Sequence, residues 1–359
     1  MQAVCLDDFQ ELARARLDPG AFDYYAGGAG DELTLRDNRA ALQRIRLRPR
    51  VLVDVLNLDL STTVLGQKLA MPVIVAPMAY QGLAHPEAER ATAAACADAG
   101  TIFTMSTLAN APVAEVAAAS NGRLWFQLYM FRDRGSSRAL VQAAERAGVA
   151  ALVLTVDAPQ LGRRERDVRR AFALPEAMRL GNLSREEQEL LTAGHTGSSI
   201  ERHARTMFDA SLSWDDVAWL QAETRLPVLL KGIMRGDDAD RAVTAGAAGI
   251  VVSNHGGRQL DGAVATIDAL PEIVAAVAGR IPVLVDGGFR RGVDVVKALA
   301  LGAQAVLIGR PILWGLAIGG RDGVGQVLSL LQDELRLAMS LCGCPNIAAI
   351  TPDLVYRYL

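Results

Sequence analysis

The densest group of reactive side chains in the sequence is the stretch Ser253-Asn254-His255-Gly256-Gly257-Arg258-Gln259-Leu260-Asp261. It combines a histidine base, two glycines and an arginine three residues after the base. This pattern suits abstraction of a proton beside a bound carboxylate, because imidazole accepts the proton and the guanidinium holds the anion. Asp157, which ends another apolar run, is expected to stabilise the imidazolium and so to raise the pKa of His255. The alternative is a hydrogen-bonded structural histidine.

Two other segments indicate an anion site. Asp286-Gly287-Gly288-Phe289-Arg290 and Ile308-Gly309-Arg310 each offer glycines, free backbone N–H groups and a guanidinium. Such groups bind phosphate, so a phosphorylated cofactor or substrate is predicted. Turn glycines with surface arginines are the alternative, which explains one such segment more easily than two.

Lys231 ends an apolar run, where an ammonium is costly unless it faces a pocket or an anion. It is a candidate for a Schiff base, or for a positive charge placed against a ring that becomes anionic. A lysine that points away from the site is the third possibility.

Eight short apolar runs alternate with Ala-rich stretches of helical period, which predicts an α/β fold. Because such runs are typical of parallel strands buried on both faces, we predict a (β/α)8 barrel, with an open doubly wound sheet as the alternative. The carboxyl ends of barrel strands share one face, so the groups above are expected to meet there. The runs are 72–77, 101–106, 124–129, 151–157, 227–232, 249–254, 282–287 and 305–310.

The spacing of the runs predicts a long insertion after the fourth strand. Most runs start 22 to 33 residues apart, but the fourth and fifth start 76 residues apart. We expect an insertion over about 158–226 that is either a lid or a mobile loop. It carries Arg163, Arg164, Arg166, Arg169, Arg170, His195 and His203. A helix over 7–17 in an N-terminal extension and a closing helix over 324–342 complete a single domain, 1–359, with the barrel at about 72–342.

Composition limits the classes of partner. The 359 residues carry 37 basic and 40 acidic side chains, a formal charge of −3, so there is no basic field for nucleic acid or anionic lipid. Four cysteines form no zinc or redox spacing, and no metal site is expected. Without a secretion signal or a long apolar run, the sequence predicts a cytoplasmic protein with no membrane partner.

The motifs together resemble a known family, the FMN-dependent L-2-hydroxy acid oxidases and dehydrogenases, which includes glycolate, lactate and hydroxymandelate oxidases. The resemblance covers essentially the whole chain. It is carried by FDYYAGGA (22–29), FQLY (126–129), TVD (155–157), LGRR (161–164), SNHGGRQLDG (253–262), DGGFRRG (286–292) and IGRP (308–311).

The resemblance implies that FMN is held at the barrel mouth. Lys231 is then expected near N1 and O2 of the flavin, where it stabilises negative charge. The remaining cofactor contacts implied are Pro77, Met78, Ala79, Ser106, Gln127, Thr155, Ser253, Asp286, Gly287, Gly288, Arg290, Gly309 and Arg310.

It also implies oxidation of an L-2-hydroxy acid to a 2-oxo acid. His255 is the base and Asp157 its partner, Arg164 and Arg258 clamp the carboxylate, and Tyr24 and Tyr129 bind substrate oxygens. Whether the proton leaves oxygen or carbon stays open. O2 is the expected acceptor, with a quinone-linked dehydrogenase or a non-redox flavin isomerase as alternatives, and the family precedent is a tetramer or larger.

Two departures from glycolate oxidases bear on the substrate. This chain has Met78 where those enzymes carry Thr, and Leu108 where they carry Trp. Replacing an indole by an isobutyl group opens space beside the 2-carbon. We therefore expect a longer aliphatic or aromatic side chain on the substrate, with Tyr80 as a further aromatic wall.

Overall fold

The computed structural model describes residues 3–175, 177–192 and 207–356. Three helices come first: α1 (Leu6–Arg16), α2 (Pro19–Ala26) and α3 (Leu33–Arg44). The sequence predicts the first of them, whereas the other two lie in what reads as a connecting segment. Asp18 explains the start of α2, because its side chain accepts hydrogen bonds from the N–H groups of Gly20 and Ala21.

Eight parallel strands close into a barrel, which confirms the predicted (β/α)8 fold and excludes the open sheet. Each of the eight overlaps one of the predicted runs. They are β4 (Val73–Val75), β5 (Phe103–Met105), β6 (Leu124–Leu128), β7 (Ala151–Thr155), β8 (Val228–Ile233), β9 (Gly249–Val252), β10 (Val283–Val285) and β11 (Ala305–Ile308).

Alternate residues of the strands fill the barrel interior, and the others pack against the helices. Ile74, Val153 and Leu284 belong to the interior cluster, which a hairpin of β2 (Thr62–Val64) and β3 (Gln67–Leu69) joins through Val64 and Leu69. Each such side chain contributes about 1.5–3 kcal/mol on burial. The chain also pairs β1 (Arg46–Leu47) with β12 (Val355–Tyr356).

The helices follow the strands around the barrel. They are α4 (Ala88–Asp98), α5 (Val113–Ser120), α6 (Arg134–Arg146), α7 (Glu165–Arg169), α8 (Arg185–Thr192), α9 (Trp214–Glu223), α10 (Gly236–Thr244), α11 (Thr266–Val277), α12 (Gly292–Ala300) and α13 (Arg310–Cys342). The last begins earlier than the predicted 324–342. It turns sharply at Gly319–Gly320, where Gly320 has φ of 55°, a value that favours glycine.

The predicted insertion lies between β7 and β8 and contains α7, α8 and α9. Three of its described arginines form ion pairs at the surface: Arg166 with Glu32, Arg169 with Glu165, and Arg170 with Asp23. His195 and His203 lie outside the described residues. No helix within the described ranges has the length and apolarity that a membrane span requires.

Candidate active site

A cavity opens where the barrel strands end. Every predicted site residue lines it except Asp157 and Ser253. Those two residues are hydrogen-bonded to side chains that do line it, His255 and Lys231. The N-terminal extension also contributes, because Tyr24 and Tyr25 of α2 form part of the wall.

His255 is fixed between an acid and a phenol. Its Nδ1 lies 2.9 Å from Asp157 Oδ1, and its Nε2 lies 3.4 Å from the hydroxyl of Tyr129. His255 has φ of 58°, at the start of a turn that continues through Gly256 and Gly257, both also with positive φ. Because Asp157 accepts a hydrogen bond from the Nδ1–H group, the neutral ring leaves Nε2 free to act as a base.

The net shift in the pKa of His255 is opposite in direction to the rise expected from the sequence. Burial is the largest influence on His255 and lowers its pKa, and Lys231 and Arg164 lower it further. Asp157 raises the pKa of His255, as predicted, but does not outweigh burial, so the net direction is downward. Burial alone would raise the pKa of Asp157, yet its electrostatic and hydrogen-bond interaction with His255, together with the Lys231 charge, holds it below its usual value. The site therefore keeps an ionised aspartate beside a neutral imidazole.

Gln259 holds the Asp157 backbone in place. Its Nε2 donates to the carbonyl oxygens of Asp157 and Gln160, each at 2.8 Å, and its Oε1 accepts from Gly162 N at 3.0 Å. Residues near His255 in the sequence thus fix the loop that carries its acidic partner. Sequence reasoning gave Gln259 no such role.

The guanidinium groups of buried Arg164 and half-buried Arg258 flank Tyr24. The Cζ atoms of Arg258 and Arg164 lie 4.9 Å and 5.7 Å from the centroid of its ring. Burial, with the like charge of Arg164, lowers the pKa of Arg258 to about 10, so Arg258 remains charged at neutral pH. Arg258 donates to the Tyr24 carbonyl at 2.6 Å, whereas Nε of Arg164 is buried with no partner in the described structure. The unmet donor and the adjacent cations fit an anionic ligand.

Lys231, at the end of β8, belongs to a buried charged group. Its Nζ lies 2.8 Å from Ser253 Oγ and 3.1 Å from Asp286 Oδ2, and Ser253 Oγ lies 2.9 Å from the same carboxylate oxygen. Burial lowers the pKa of Lys231, but Asp286 and Asp157 outweigh this and raise it, so the ammonium stays charged. Lys231 lines the cavity, which excludes a lysine that points away from the site.

Hydrogen bonds connect the predicted polar residues on β5 to β7. Ser106 Oγ donates to Gln127 Oε1 at 3.2 Å, and Gln127 Nε2 donates to Thr155 Oγ1 at 3.0 Å. All three are buried and line the cavity. They present fixed donors and acceptors in one row, which suits the edge of a planar heterocycle.

The two predicted anion-binding arginines differ in their contacts. Arg290 donates to the carbonyl of Phe289 at 2.9 Å and lies 3.8 Å from Asp7, while burial lowers its pKa to about 10. Arg310 donates to the carbonyls of Tyr25, Gly256 and Gly27 at 2.9 to 3.0 Å. Arg310 thus ties the extension to the His255 loop, a structural contact that the sequence did not predict.

Some cavity residues were missed from the sequence. Phe208 stacks on Tyr129 with centroids 4.3 Å apart, and Leu161 and Leu313 complete the apolar wall. Phe289, for which the sequence offered no role, is buried and lines the cavity. Phe208 lies within the insertion, where no strand or motif signals its position.

A closed parallel barrel with a polar cavity at its strand ends is typical of an α/β-barrel enzyme. Residues 13–357 match the family described as FMN-dependent dehydrogenase, and the chain belongs to that family. FMN is therefore its cofactor.

Several relatives are similar along nearly their whole length. An L-lactate oxidase from Nostoc sp. is 54% identical over 357 residues, covering 98% of each chain. Glycolate oxidase from Spinacia oleracea is 49% identical over 351 residues, covering 98% of this chain and 95% of the relative. The solved structure of a mandelate oxidase with (S)-4-hydroxymandelic acid has a TM-score of 0.95 and 48% identity, covering 99% of each chain.

The cavity fits FMN in its donor set. The Ser106–Gln127–Thr155 row and the Lys231 ammonium suit the polar edge of a flavin ring. At the other end, the Arg290 side chain is 11% exposed and lines the cavity with Gly287 and Gly288, both of which have positive φ. This set of Arg290, Gly287 and Gly288 suits a phosphate.

Proposed function

We propose that this protein oxidises an L-2-hydroxy acid to the corresponding 2-oxo acid and passes the electrons to O2, forming H2O2. The substrate loses two electrons and two protons, and O2 gains both. The observation that carries the proposal is the position of His255, whose Nε2 faces a cavity flanked by Arg164 and Arg258 while Asp157 holds its Nδ1. A neutral base beside an anion site supports this chemistry.

Different residues of the chain bind the substrate, remove its proton and stabilise charge. Arg258 and Arg164 bind the carboxylate of the substrate. Tyr24 and Tyr129 bind substrate oxygens. His255 Nε2 removes a proton from the 2-hydroxy centre, and Asp157 then stabilises the imidazolium through Nδ1. FMN held in the cavity would supply the acceptor for the two electrons. Lys231 contributes a fixed positive charge at the cavity wall, which offsets negative charge that develops on the cofactor.

Residues 78 and 108 support a substrate with a side chain larger than that of glycolate. Met78 and Leu108 both line the cavity, and both are more than nine-tenths buried. The relatives are named for lactate, glycolate and mandelate, so the family accommodates several side chains. We infer that the isobutyl group of Leu108 leaves space for an aliphatic or aryl group.

We further infer one domain, a cytoplasmic location and an assembly of four or more copies. Tyr24 reaches the barrel cavity from the extension, which supports one folding unit. Free cysteines support a reducing compartment. Val51, Leu52 and Leu56 are 80%, 102% and 85% exposed in one loop, an apolar surface that suits contact with another copy.

A substrate panel tests the proposal. Glycolate, L-lactate, 2-hydroxyoctanoate and (S)-mandelate are assayed under air with measurement of O2 uptake and H2O2, and then without O2 in the presence of a dye acceptor. We expect equal amounts of O2 consumed and H2O2 formed with at least one acid. Turnover with the dye but not with O2 would show a dehydrogenase, and an FMN-loaded protein that no acid reduces would contradict the proposal.

A further inference from the structure

We propose that the hydroxyl of Tyr80 donates a hydrogen bond to the carboxylate of the bound acid, as a third donor beside Arg164 and Arg258. This inference rests on the proposed function, because it names a further residue of the same substrate site. The sequence gave Tyr80 only the role of an aromatic wall. The structure assigns it a polar contact for the following reasons.

The first reason is an unmet hydrogen bond. Tyr80 is 0% exposed and lines the cavity, yet its hydroxyl has no hydrogen-bond partner in the described part of the chain. A buried phenol without a partner is destabilising, so buried tyrosines normally find one. Tyr25, its neighbour in the wall, has such a partner, because its hydroxyl donates to the Tyr80 carbonyl at 2.6 Å.

The second reason is the position of the ring. The Tyr80 ring meets that of Tyr24 edge-on, with centroids 5.7 Å apart. The guanidinium groups of Arg258 and Arg164 lie against the same Tyr24 ring. Nε of Arg164 is the other buried donor of this group with no described partner. Two unmet donors beside two cations are best satisfied by one anion, and the acid's carboxylate is that anion.

The third reason is the protonation state. Burial raises the pKa of Tyr80 well above its usual value, and the nearby Tyr24 and Tyr129 raise it further. Arg164 opposes this rise but does not outweigh it. Tyr80 is therefore a neutral phenol that retains its proton for donation to a carboxylate.

The fourth reason is the rigidity of the backbone at this position. Tyr80 has φ of 58°, a left-handed conformation that a bulky residue adopts only when its surroundings impose it. Its N–H donates to the Leu108 carbonyl at 3.1 Å, and its carbonyl accepts from Tyr25. The next N–H, of Gln81, donates to the buried carboxylate of Glu89 at 3.3 Å. These contacts hold the phenol in place before the ligand arrives.

Oxalate binding to the FMN-loaded protein tests the proposal. Oxalate has carboxylates but no side chain, so a role as a wall for the substrate side chain leaves its Kd unchanged. In Tyr80→Phe, calorimetric titration is expected to show a Kd raised about ten- to a hundredfold, the usual effect of losing a hydrogen bond to a charged group. Tyr80→Leu, which also removes the ring, is expected to show a similar rise. An unchanged Kd in Tyr80→Phe would overturn the proposal.

Steady-state kinetics add a second readout. We expect Tyr80→Phe to raise KM for glycolate, L-lactate and (S)-mandelate by one common factor, with kcat changed by less than about threefold. A rise confined to mandelate would assign Tyr80 to the side-chain wall and would overturn the proposal. If the wild type oxidises none of these acids, the proposed function fails while the oxalate titration still tests Tyr80.

A crystal structure of the wild type with oxalate keeps the test independent of the variants. The expected distance from the Tyr80 hydroxyl to a carboxylate oxygen is about 2.5–3.0 Å. A separation beyond about 3.5 Å, with oxalate bound to Arg258, would overturn the proposal.

Discussion

Asp157 Oδ1 lies 2.9 Å from Nδ1 of His255, and this contact leaves Nε2 facing the cavity, 3.4 Å from the Tyr129 hydroxyl. The two residues have different functions. Asp157 fixes the orientation and tautomer of the ring, and the buried ring keeps the pKa of His255 below its usual value even beside a carboxylate. The base is therefore neutral at neutral pH.

The pH dependence of kcat/KM follows from this direction. His255 must be neutral to accept a proton, so activity is lost as the pH falls through its pKa. Because that pKa is lowered, the acidic limb is expected below about pH 6.5, the usual value for histidine. In Asp157→Asn the carboxylate no longer raises the pKa, so the limb is expected to move to lower pH while the plateau rate falls about 10²–10⁴-fold. An acidic limb that moves upward in this variant would contradict the assignment.

The buried ion pair of Lys231 and Asp286 predicts a loss of stability. Lys231→Met leaves the Asp286 carboxylate buried without its cation, which is expected to lower the free energy of unfolding by about 3–5 kcal/mol. Arg138→Met is the matched control, because it removes a surface pair with Glu223 in which Arg138 is 45% exposed, and a loss of at most about 1 kcal/mol is expected. Urea unfolding in excess FMN, followed by circular dichroism, measures both. Equal losses of unfolding free energy in the two variants would show that the buried ion pair stabilises the fold no more than the surface pair does.

Arg290 is expected to distinguish FMN from riboflavin, which lacks the phosphate. Arg290→Met removes a buried cation from the anion end of the cavity, so FMN affinity is expected to fall about ten- to a hundredfold while riboflavin affinity changes little. Arg291→Met is the control, since Arg291 is exposed and bonded to Glu334 at 2.8 Å. Flavin titration of the flavin-free proteins measures the ratio. An equal fall for both flavins would place the phosphate elsewhere.

Leu108 is expected to set the size of the substrate side chain. In the wild type, kcat/KM is expected to rise from glycolate towards acids with longer or aryl side chains, each buried methylene contributing about 1–3 kcal/mol. Leu108→Trp is expected to reverse this order by overpacking the cavity while sparing glycolate. Comparison of glycolate with mandelate in both proteins measures the effect. Unchanged relative values would show that residue 108 does not determine selectivity.

Most of the fold is predictable because the barrel strands carry continuous apolar runs. Ala151–Thr155 and Gly249–Val252 are buried at every position, so hydrophobicity alone marks them. The pairing of β1 with β12 is not predictable in this way, because it joins Arg46 to Tyr356 across the length of the chain without an apolar pattern. The turn within α13 is not predictable either. A glycine such as Gly319 does not show from the sequence which tertiary contacts require a break in the helix there.

The site was predictable where a motif carries its own chemistry. The stretch from Ser253 to Asp261 combines a base and a cation in a glycine-rich loop, and the structure places both at the cavity. The direction of the His255 pKa was not predictable, because it depends on burial rather than on the partner alone. The carbonyl contacts of Arg310 and the stacking of Phe208 on Tyr129 depend on packing between distant segments.

Reduction of the bound flavin in the absence of O2 tests the central claim most directly. The best acid of the panel is mixed anaerobically with FMN-loaded wild type and with His255→Ala, and bleaching of the visible flavin band is followed in a single turnover. We expect rapid bleaching in the wild type and a rate at least about 10²-fold lower in His255→Ala, with FMN still bound. Bleaching of the variant at the wild-type rate would contradict the assignment of His255 as the base that starts the oxidation.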